Sequence, residues 1–142
     1  MIDINCYKPY RKGKHATFTA EENRCSYTGE NPERKDIRQF KIDGEVFSKG
    51  SSQLRCDFLF LNDTDQKAYY VELKGSNILH AIEQIKKTEE AIQMSIIKYA
   101  VYRRIVCSRS CSHDIRNHKC LMWRKSGKGA NIIKERQMID TY

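Results

Sequence analysis

The chain has 142 residues, of which 39% are hydrophobic and 31% are charged, and this composition is typical of a folded domain rather than a disordered segment. No apolar run approaches the roughly 18–20 residues that span a bilayer. The first ten residues lack the basic patch and apolar stretch of a secretory signal. We therefore expect one domain, residues 1–142, located in the cytoplasm.

The net charge of +8 is distributed unevenly along the chain. Residues 1–97 carry 15 basic and 15 acidic side chains, whereas residues 98–142 carry 11 basic and 3 acidic ones. A one-sided positive surface attracts polyanions, and nucleic acid is the commonest of these partners. We therefore expect nucleic acid as the partner, with a generic soluble surface as the alternative. The basic side chains of the C-terminal third include Arg103, Arg104, Arg109, Arg116, Lys119, Arg124, Lys125, Lys128, Lys134 and Arg136.

The N-terminal segments are rich in turn-forming and basic residues. Residues 8–14 (KPYRKGK) indicate a basic arm or loop, and residues 26–36 (SYTGENPERKD) indicate a polar loop. Between them, Thr19 and Glu22 have the spacing of a capping box, which predicts the start of a short helix.

Four strands are predicted in the middle of the chain. Residues 37–42 alternate loosely and precede an Asp-Gly turn, which predicts a partner strand at residues 45–47. Residues 54–61 (LRCDFLFL) and residues 68–73 (AYYVEL) are rich in strand-forming side chains. The polar residues 62–66 between them predict a hairpin loop, so these two strands should be antiparallel neighbours.

The second half of the chain alternates between helical and strand patterns. Isoleucines recur at helical spacing through residues 77–96, with Ser76 as the predicted N-cap. Residues 98–107 predict a strand, residues 114–125 a helix that the following glycines end, and residues 131–139 a closing strand. This order of a hairpin, helix, strand, helix and strand predicts an α/β fold with a mixed central sheet flanked by helices.

The chain contains six cysteines, and without an export signal we expect them to be reduced. Three of them lie close together in the sequence and have two histidines nearby, so a zinc cluster is an alternative to a simple core role. The spacing lacks the paired cysteine knuckles of common zinc sites. The residues of this possible cluster are Cys107, Cys111, Cys120, His113 and His118.

Asp57, Glu72 and Lys74 are the candidate catalytic residues of the chain. Glu72 and Lys74 follow a Tyr-Tyr-Val run and are two residues apart, so both should point to the same face of a buried strand. Asp57 lies on the adjacent strand, and hairpin pairing can bring its carboxylate beside Glu72. Two carboxylates with open positions between them suit a divalent cation such as Mg²⁺, which activates water and phosphodiesters.

An ordinary salt bridge at a strand edge, between Lys74 and either Glu72 or Asp57, is the alternative explanation. A Glu-x-Lys triplet is expected about once by chance in a chain of this composition. A second triplet does occur at residues 33–35, in a polar loop without a strand around it. The setting of the triplet at residues 72–74 therefore matters more than its letters.

Residues 54–90 resemble the core of the PD-(D/E)XK superfamily, which includes restriction-endonuclease-like nucleases and Holliday-junction resolvases. The shared pattern is an Asp on one strand, a hairpin, a Glu-x-Lys on the next strand and then a helix. The resemblance implies that Asp57 and Glu72 bind Mg²⁺ (or Mn²⁺), with the Leu73 carbonyl as a third ligand, and that Lys74 is the catalytic lysine. It also implies that Gln84 points back at the site.

His80 lies one turn before Gln84 on the same helix face, and a half-exposed helix position is the alternative role for both. The chain departs from the family pattern at two points. Cys56 precedes the aspartate where the family commonly has proline. The acidic residue of the family's first helix has no clear equivalent, which puts a second metal in doubt. The candidates for it are Glu21, Glu22 and Glu45.

By this resemblance we expect a restriction-endonuclease-like fold and a Mg²⁺-dependent endodeoxyribonuclease that acts on DNA, as a possible homodimer, in defence, phage biology or recombination. Arg124, Lys125 and Lys128 surround a glycine break and are expected to contact the nucleic-acid backbone. The alternatives are an inactive nuclease-like binding module, such as an immunity or inhibitor protein or a nucleic-acid-binding subunit, and a zinc-binding nucleic-acid module.

Overall fold

The computed structural model describes residues 1–74, 76–108 and 114–142. In these residues two sheets and two α-helices carry the architecture. The strands are β1 (Arg11–Gly13), β2 (Thr17–Glu22), β3 (Cys25–Glu30), β4 (Ile37–Lys41), β5 (Phe58–Asn62), β6 (Lys67–Lys74), β7 (Ala100–Cys107), β8 (Asn131–Glu135) and β9 (Gln137–Thr141), and the helices are α1 (Ile78–Ile92) and α2 (His118–Ser126).

The larger sheet has six strands in the order β1-β4-β5-β6-β7-β8. Strands β4, β5 and β6 form an antiparallel meander, whereas β7 and β8 both run parallel to β6. Helix α1 makes the crossover from β6 to β7, as a parallel connection requires. The predicted α/β class, with a mixed sheet and flanking helices, is therefore confirmed. No helix in the described parts of the chain is long and apolar enough to cross a membrane.

The central strands are buried on both faces, which explains their nearly continuous apolar sequence. All five residues of β5 are buried. On one face, Leu59 and Tyr70 pack in a core with Ile85 of α1. On the other face, Phe60 and Val71 pack against the three-stranded sheet β2-β3-β9. The charged side chains of the site therefore lie at the end of strands that are otherwise apolar.

Two strands of the three-stranded sheet lie where the sequence predicted a short helix and a loop. Residues 17–22 form β2 rather than a capped helix, because Phe18 and Ala20 alternate with exposed side chains and pack inward. Thr19 and Glu22, the predicted capping pair, are both exposed on this strand. The predicted loop at residues 26–36 begins with β3, whose Tyr27 is fully buried.

Other predicted boundaries also move. Residues 42–46 form a turn. The strand predicted at residues 45–47 as the hairpin partner of residues 37–42 is therefore wrong. The helix cap is Asn77 rather than Ser76, because the Asn77 side chain accepts from the His80 N–H. The closing strand is two strands in different sheets, divided at Arg136, which has a positive φ of 65°.

Helix α1 covers the face of the sheet that carries the site. Its buried side chains recur every three or four residues, as an amphipathic helix requires. Thr88 also fixes the segment before β5, because its hydroxyl accepts from the Cys56 N–H at 2.8 Å and donates to the Gln84 carbonyl at 2.8 Å. The helix thereby positions the chain just before Asp57. The buried side chains of the helix are Ile78, Ala81, Ile85, Thr88 and Ile92.

Arg104 links the two sheets through a buried ion pair. Its side chain is almost fully buried, and its Nε donates to Asp140 Oδ2 at 2.7 Å while Nη1 donates to the Ala130 carbonyl at 2.7 Å. The guanidinium also lies over the rings of Tyr69 and Tyr102, at 5.7 and 5.6 Å from their centroids. This basic residue of the C-terminal third is therefore part of the interior.

Replacing Arg104 with Met should lower the free energy of unfolding by about 3 kcal/mol, because the largely buried Asp140 carboxylate would lose its charged partner and keep only the hydrogen bond from the Tyr27 hydroxyl. Urea denaturation measures this change. Lys134→Met removes an exposed charge from neighbouring β8 and should change the free energy by no more than about 0.5 kcal/mol. Equal effects of the two substitutions would contradict the structural role of Arg104.

Candidate functional site

Asp57 lies where β5 parts from β6, one residue before β5 begins. The backbone ladder between the two strands ends at the pair Phe58 and Val71. Beyond that pair, Asp57 Oδ2 accepts a hydrogen bond from the Leu73 N–H at 2.8 Å, so its side chain satisfies a donor of β6 that has no ladder partner there. The prediction that Asp57 lies within a strand is corrected to this position at the strand's edge.

Glu72 is the residue of β6 that stands opposite Asp57, one step past the last ladder pair. Both residues are buried, with 2% of Glu72 and 7% of Asp57 exposed. Glu72 Oε1 is buried and has no hydrogen-bond partner among the described residues. A buried carboxylate oxygen without a partner costs free energy unless a donor or a cation compensates it.

The two carboxyl groups resist ionisation. Burial raises the pKa of Asp57, the hydrogen bond from the Leu73 N–H opposes this rise, and the charge of Glu22 adds to it. Burial also raises the pKa of Glu72, the Asp57 carboxylate adds to the rise, and the Lys74 ammonium lowers it. Such opposed carboxylates are typical of sites that bind a cation or exchange a proton.

Lys74 is half-buried at the end of β6, two residues after Glu72 and on the same face of the sheet. Among the described residues it makes no ion pair within 4.0 Å with either Glu72 or Asp57. The alternative explanation, a simple salt bridge at the strand edge, is therefore not observed for these three side chains. The other Glu-x-Lys triplet behaves differently, because Lys35 pairs with Glu33 at 3.0 Å and with Asp65 at 2.6 Å.

The tip of the β2–β3 hairpin closes the site from the side of the smaller sheet. Asn23 Nδ2 donates to the Leu73 carbonyl at 2.9 Å, and the Cys25 thiol lies 3.8 Å from the Lys74 carbonyl. Glu22 stands at the end of β2 beside them, where its charge acts on Asp57. The sequence reasoning missed Asn23 because it placed a helix here. The Asn-Arg pair between two alternating segments was the available signal for a tight hairpin.

Gln84 reaches the segment that leads to Asp57. Its Nε2 donates to the Arg55 carbonyl at 3.1 Å, while its Oε1 is buried and has no hydrogen-bond partner among the described residues. His80 is half-buried one turn earlier, and its N–H donates to the Asn77 cap. Gln84 is thus placed to position the chain before Asp57, and its direct role in chemistry stays a prediction.

The expected basic surface is divided by the fold. Arg103 pairs with Glu89 at 2.7 Å and its side chain is 27% exposed, whereas Arg104 is internal, so ion pairs offset both charges. The predicted nucleic-acid contacts are Arg124, Lys125 and Lys128. Arg124 and Lys125 lie in the last turn of α2, and Lys128 lies in the turn after it. This turn leads to Ala130, whose carbonyl accepts from the Arg103 N–H. By strand register Arg103 lies four residues from the level of Lys74, or about 13 Å along the sheet.

The possible zinc cluster cannot be assembled from the described residues. Cys107 at the end of β7 and Cys120 on α2 are both buried in the core, and His118 is exposed at the start of α2. Cys111 and His113, like Arg109 of the basic segment, lie outside the described residues. Within residues 1–74, 76–108 and 114–142, no group of three or more His, Cys, Asp and Glu side chains is placed to hold a metal ion.

Comparison of the chain with protein-family models, with curated proteins and with solved structures gave no match. The chemistry of the site is therefore inferred from its own residues and their geometry.

Replacing Glu72 with Gln should stabilise the metal-free protein in alkaline solution. Carboxyl groups of the unfolded chain ionise near pH 4, whereas burial holds the Glu72 proton in the folded state to higher pH. The folded state thus binds more protons above pH ~4, and wild-type stability falls as the pH rises. Gln keeps the shape without this loss, so the variant should gain about 1–3 kcal/mol at pH ~8 and little at pH ~4.

Urea denaturation in EDTA at the two pH values measures the difference. Glu83→Gln is the control, because Glu83 is exposed on α1. A stability gap for Glu72→Gln that stays the same at both pH values would show that the Glu72 carboxyl ionises normally in the fold.

Proposed function

We propose that the protein is a metal-dependent nuclease that hydrolyses phosphodiester bonds of nucleic acid, preferentially DNA, at Asp57, Glu72 and Lys74. The observation that carries this proposal is the buried carboxylate pair with an unpartnered oxygen on Glu72. Two like charges in one buried corner are destabilising without a compensating cation. Lys74 lies at the end of the same strand, two residues from Glu72, and forms no ion pair with either carboxylate.

A hard divalent cation fits this donor set. Mg²⁺ is usually held by one or two carboxylates, with water and substrate phosphates completing its shell, so a third protein carboxylate is not needed. Asp57 and Glu72 would supply the carboxylates. The Leu73 carbonyl already accepts from Asn23 and would have to use its second lone pair. When bound, Mg²⁺ or Mn²⁺ would polarise the phosphodiester and lower the pKa of a coordinated water.

The protein's own groups divide the remaining work. The Leu73 N–H holds Asp57 in one orientation, and α1 fixes the segment just before it. Lys74 is free to donate hydrogen bonds to an attacking water or to a phosphate oxygen, where negative charge grows in the transition state. Gln84 would keep Arg55 and the following residues in register with β6.

The order of elements supports the resemblance to the PD-(D/E)XK core. Asp57 precedes β5, the Glu-x-Lys triplet ends β6, and α1 with the parallel strand β7 follows. Of the three candidates for the family's acidic residue on the first helix, Glu22 is the one whose charge acts on Asp57. We assign Glu22 to that role, although it projects from a strand. Glu45 lies in the turn after β4.

A nucleic-acid-binding module without catalysis would use the same surface but would not depend on the carboxylates. Metal dependence therefore separates the two functions. Incubation with linear, supercoiled, branched and single-stranded DNA in Mg²⁺, Mn²⁺ or EDTA shows whether the chain cuts or only binds.

Asp57→Asn should abolish cleavage in Mg²⁺ while the fold persists, because Asn retains an oxygen that accepts from the Leu73 N–H and removes only the charge. Asp57→Ala should also abolish cleavage and should destabilise the fold as well. Gel assays of DNA cleavage, with circular dichroism as the check on folding, measure both effects. Cleavage by Asp57→Asn at the wild-type rate would remove Asp57 from the site.

Lys74→Ala should lower kcat by about 100-fold or more and change DNA affinity little, because its proposed contact strengthens in the transition state. Single-turnover kinetics and equilibrium binding separate the two quantities. Lys67→Ala at the other end of β6 is the matched control and should leave kcat near the wild-type value. If Lys74→Ala cleaves as fast as the control, Lys74 has no part in the chemistry.

A further inference from the structure

A groove runs along the edge of the larger sheet, where the N-terminal arm meets the end of β4. It encloses about 410 Å³. Its walls combine aromatic rings, lysines and a single acidic side chain. The residues that line it are Tyr7, Lys8, Pro9, Tyr10, Lys41, Glu45 and Val46. We call this feature the arm groove.

The lining of the arm groove contains two lysines and one glutamate, so it carries a small positive charge. The arm itself, residues 8–14, contains four basic side chains and no acidic one. Within the described chain, neither Lys8 nor Lys41 of the groove makes an ion pair. Arg11, by contrast, is held by the Thr17 carbonyl at 2.9 Å. Unpaired lysines along a groove are the arrangement that neutralises phosphates of a nucleic-acid strand.

Tyr10 presents an aromatic ring that the fold does not use. Its side chain is 57% exposed, although its backbone is fixed by a hydrogen bond from its N–H to the Gln39 carbonyl at 2.8 Å. A rigidly anchored ring in solvent is a platform for stacking. Only an unpaired or terminal base can stack on it, because both faces of a base inside a duplex are already covered.

The arm groove leads to the candidate site. Lys41 pairs with Phe58 in the sheet, and the next residue, Ile42, donates its N–H to the Asp57 carbonyl at 2.9 Å. Strand β1, which follows Tyr10, is separated from β6 by three strand spacings, or about 14 Å. A few nucleotides of one strand cover such a distance. A strand that is cut at the site can therefore reach the groove within a few nucleotides.

We propose that the arm groove binds unpaired nucleotides flanking the bond that is cut, with phosphates at Lys8 and Lys41 and a base stacked on Tyr10. This inference rests on the proposed nuclease function and narrows its substrate to DNA with a single-stranded stretch beside the cleavage point. Arg124, Lys125 and Lys128 do not line this groove.

Fluorescence anisotropy with a labelled single-stranded oligonucleotide tests the inference, with a relaxed closed circular duplex, which has no unpaired or terminal base, as the unlabelled comparison ligand. The protein carries Asp57→Asn throughout and EDTA is present, so cleavage does not interfere. Tyr10→Ala should weaken single-strand binding by about 5- to 100-fold, the range for loss of one stacked base, and leave the affinity for the closed circular duplex unchanged. Tyr10→Phe should restore the affinity, since it keeps the ring.

The lysines are tested by the dependence of affinity on salt. Lys8→Ala combined with Lys41→Ala should reduce the slope of log affinity against log salt for the single strand by about 1.4, or about 0.7 per phosphate contact. Lys86→Ala with Lys98→Ala removes the same charge from exposed positions elsewhere and should leave the slope unchanged. Single-strand binding by Tyr10→Ala at parental affinity, or an equal slope change in the control, would overturn the inference.

Failure of the groove and failure of the nuclease function give different results. If the wild-type protein cleaves a flap or branched substrate in Mg²⁺, and Tyr10→Ala binds and cleaves it equally well, the proposed role of the groove is overturned and the nuclease function is supported. Absence of cleavage under all metals, with the expected losses of single-strand binding, would overturn the nuclease and support the groove as a binding site. Absence of any binding to single-stranded DNA would overturn the groove.

Discussion

Two carboxyl groups occupy a buried corner between β5 and β6, and much of the neighbouring structure bears on how they are held there. Asp57 can enter this corner because β5 ends its ladder one residue early and leaves the Leu73 N–H to be satisfied by a side chain. Glu72 is then forced opposite it by the register of the hairpin. Since both groups resist ionisation, ionising them together costs free energy, and a bound cation would offset that cost.

The two layers that cover the sheet have different roles at this corner. Helix α1 fixes the approach to Asp57 through Thr88, which bonds the Cys56 N–H. The smaller sheet fixes the far side, because the tip of its β2–β3 hairpin places Asn23 on the Leu73 carbonyl. The site is thus clamped from both faces. The geometry of the site therefore depends on these long-range contacts as well as on the register of the hairpin that carries the acidic residues.

Local sequence patterns were sufficient to predict the middle of the fold. They were not sufficient to predict contacts between segments that are far apart in the sequence. Strand β6 and helix α1 follow from a β-rich run and from isoleucines at helical spacing, and the register of the hairpin brings Asp57 and Glu72 together as expected. The short helix predicted to start at the Thr19 cap failed because Phe18 packs in the core of a sheet that distant β9 completes, and this packing outweighs a local capping signal. The arm groove was hidden because acidic residues elsewhere in residues 1–97 cancel its charge in the average.

The central claim, that a divalent cation compensates the carboxylate pair, is tested most directly by calorimetric titration of Mn²⁺ into the protein at neutral pH. Running the titration in two buffers of different ionisation enthalpy counts the protons released. The account predicts saturable binding that releases protons, because carboxyl groups with raised pKa values must ionise to bind a metal. It also predicts loss of both signals in Asp57→Asn. Absence of Mn²⁺ binding, or binding that Asp57→Asn leaves unchanged, would contradict it.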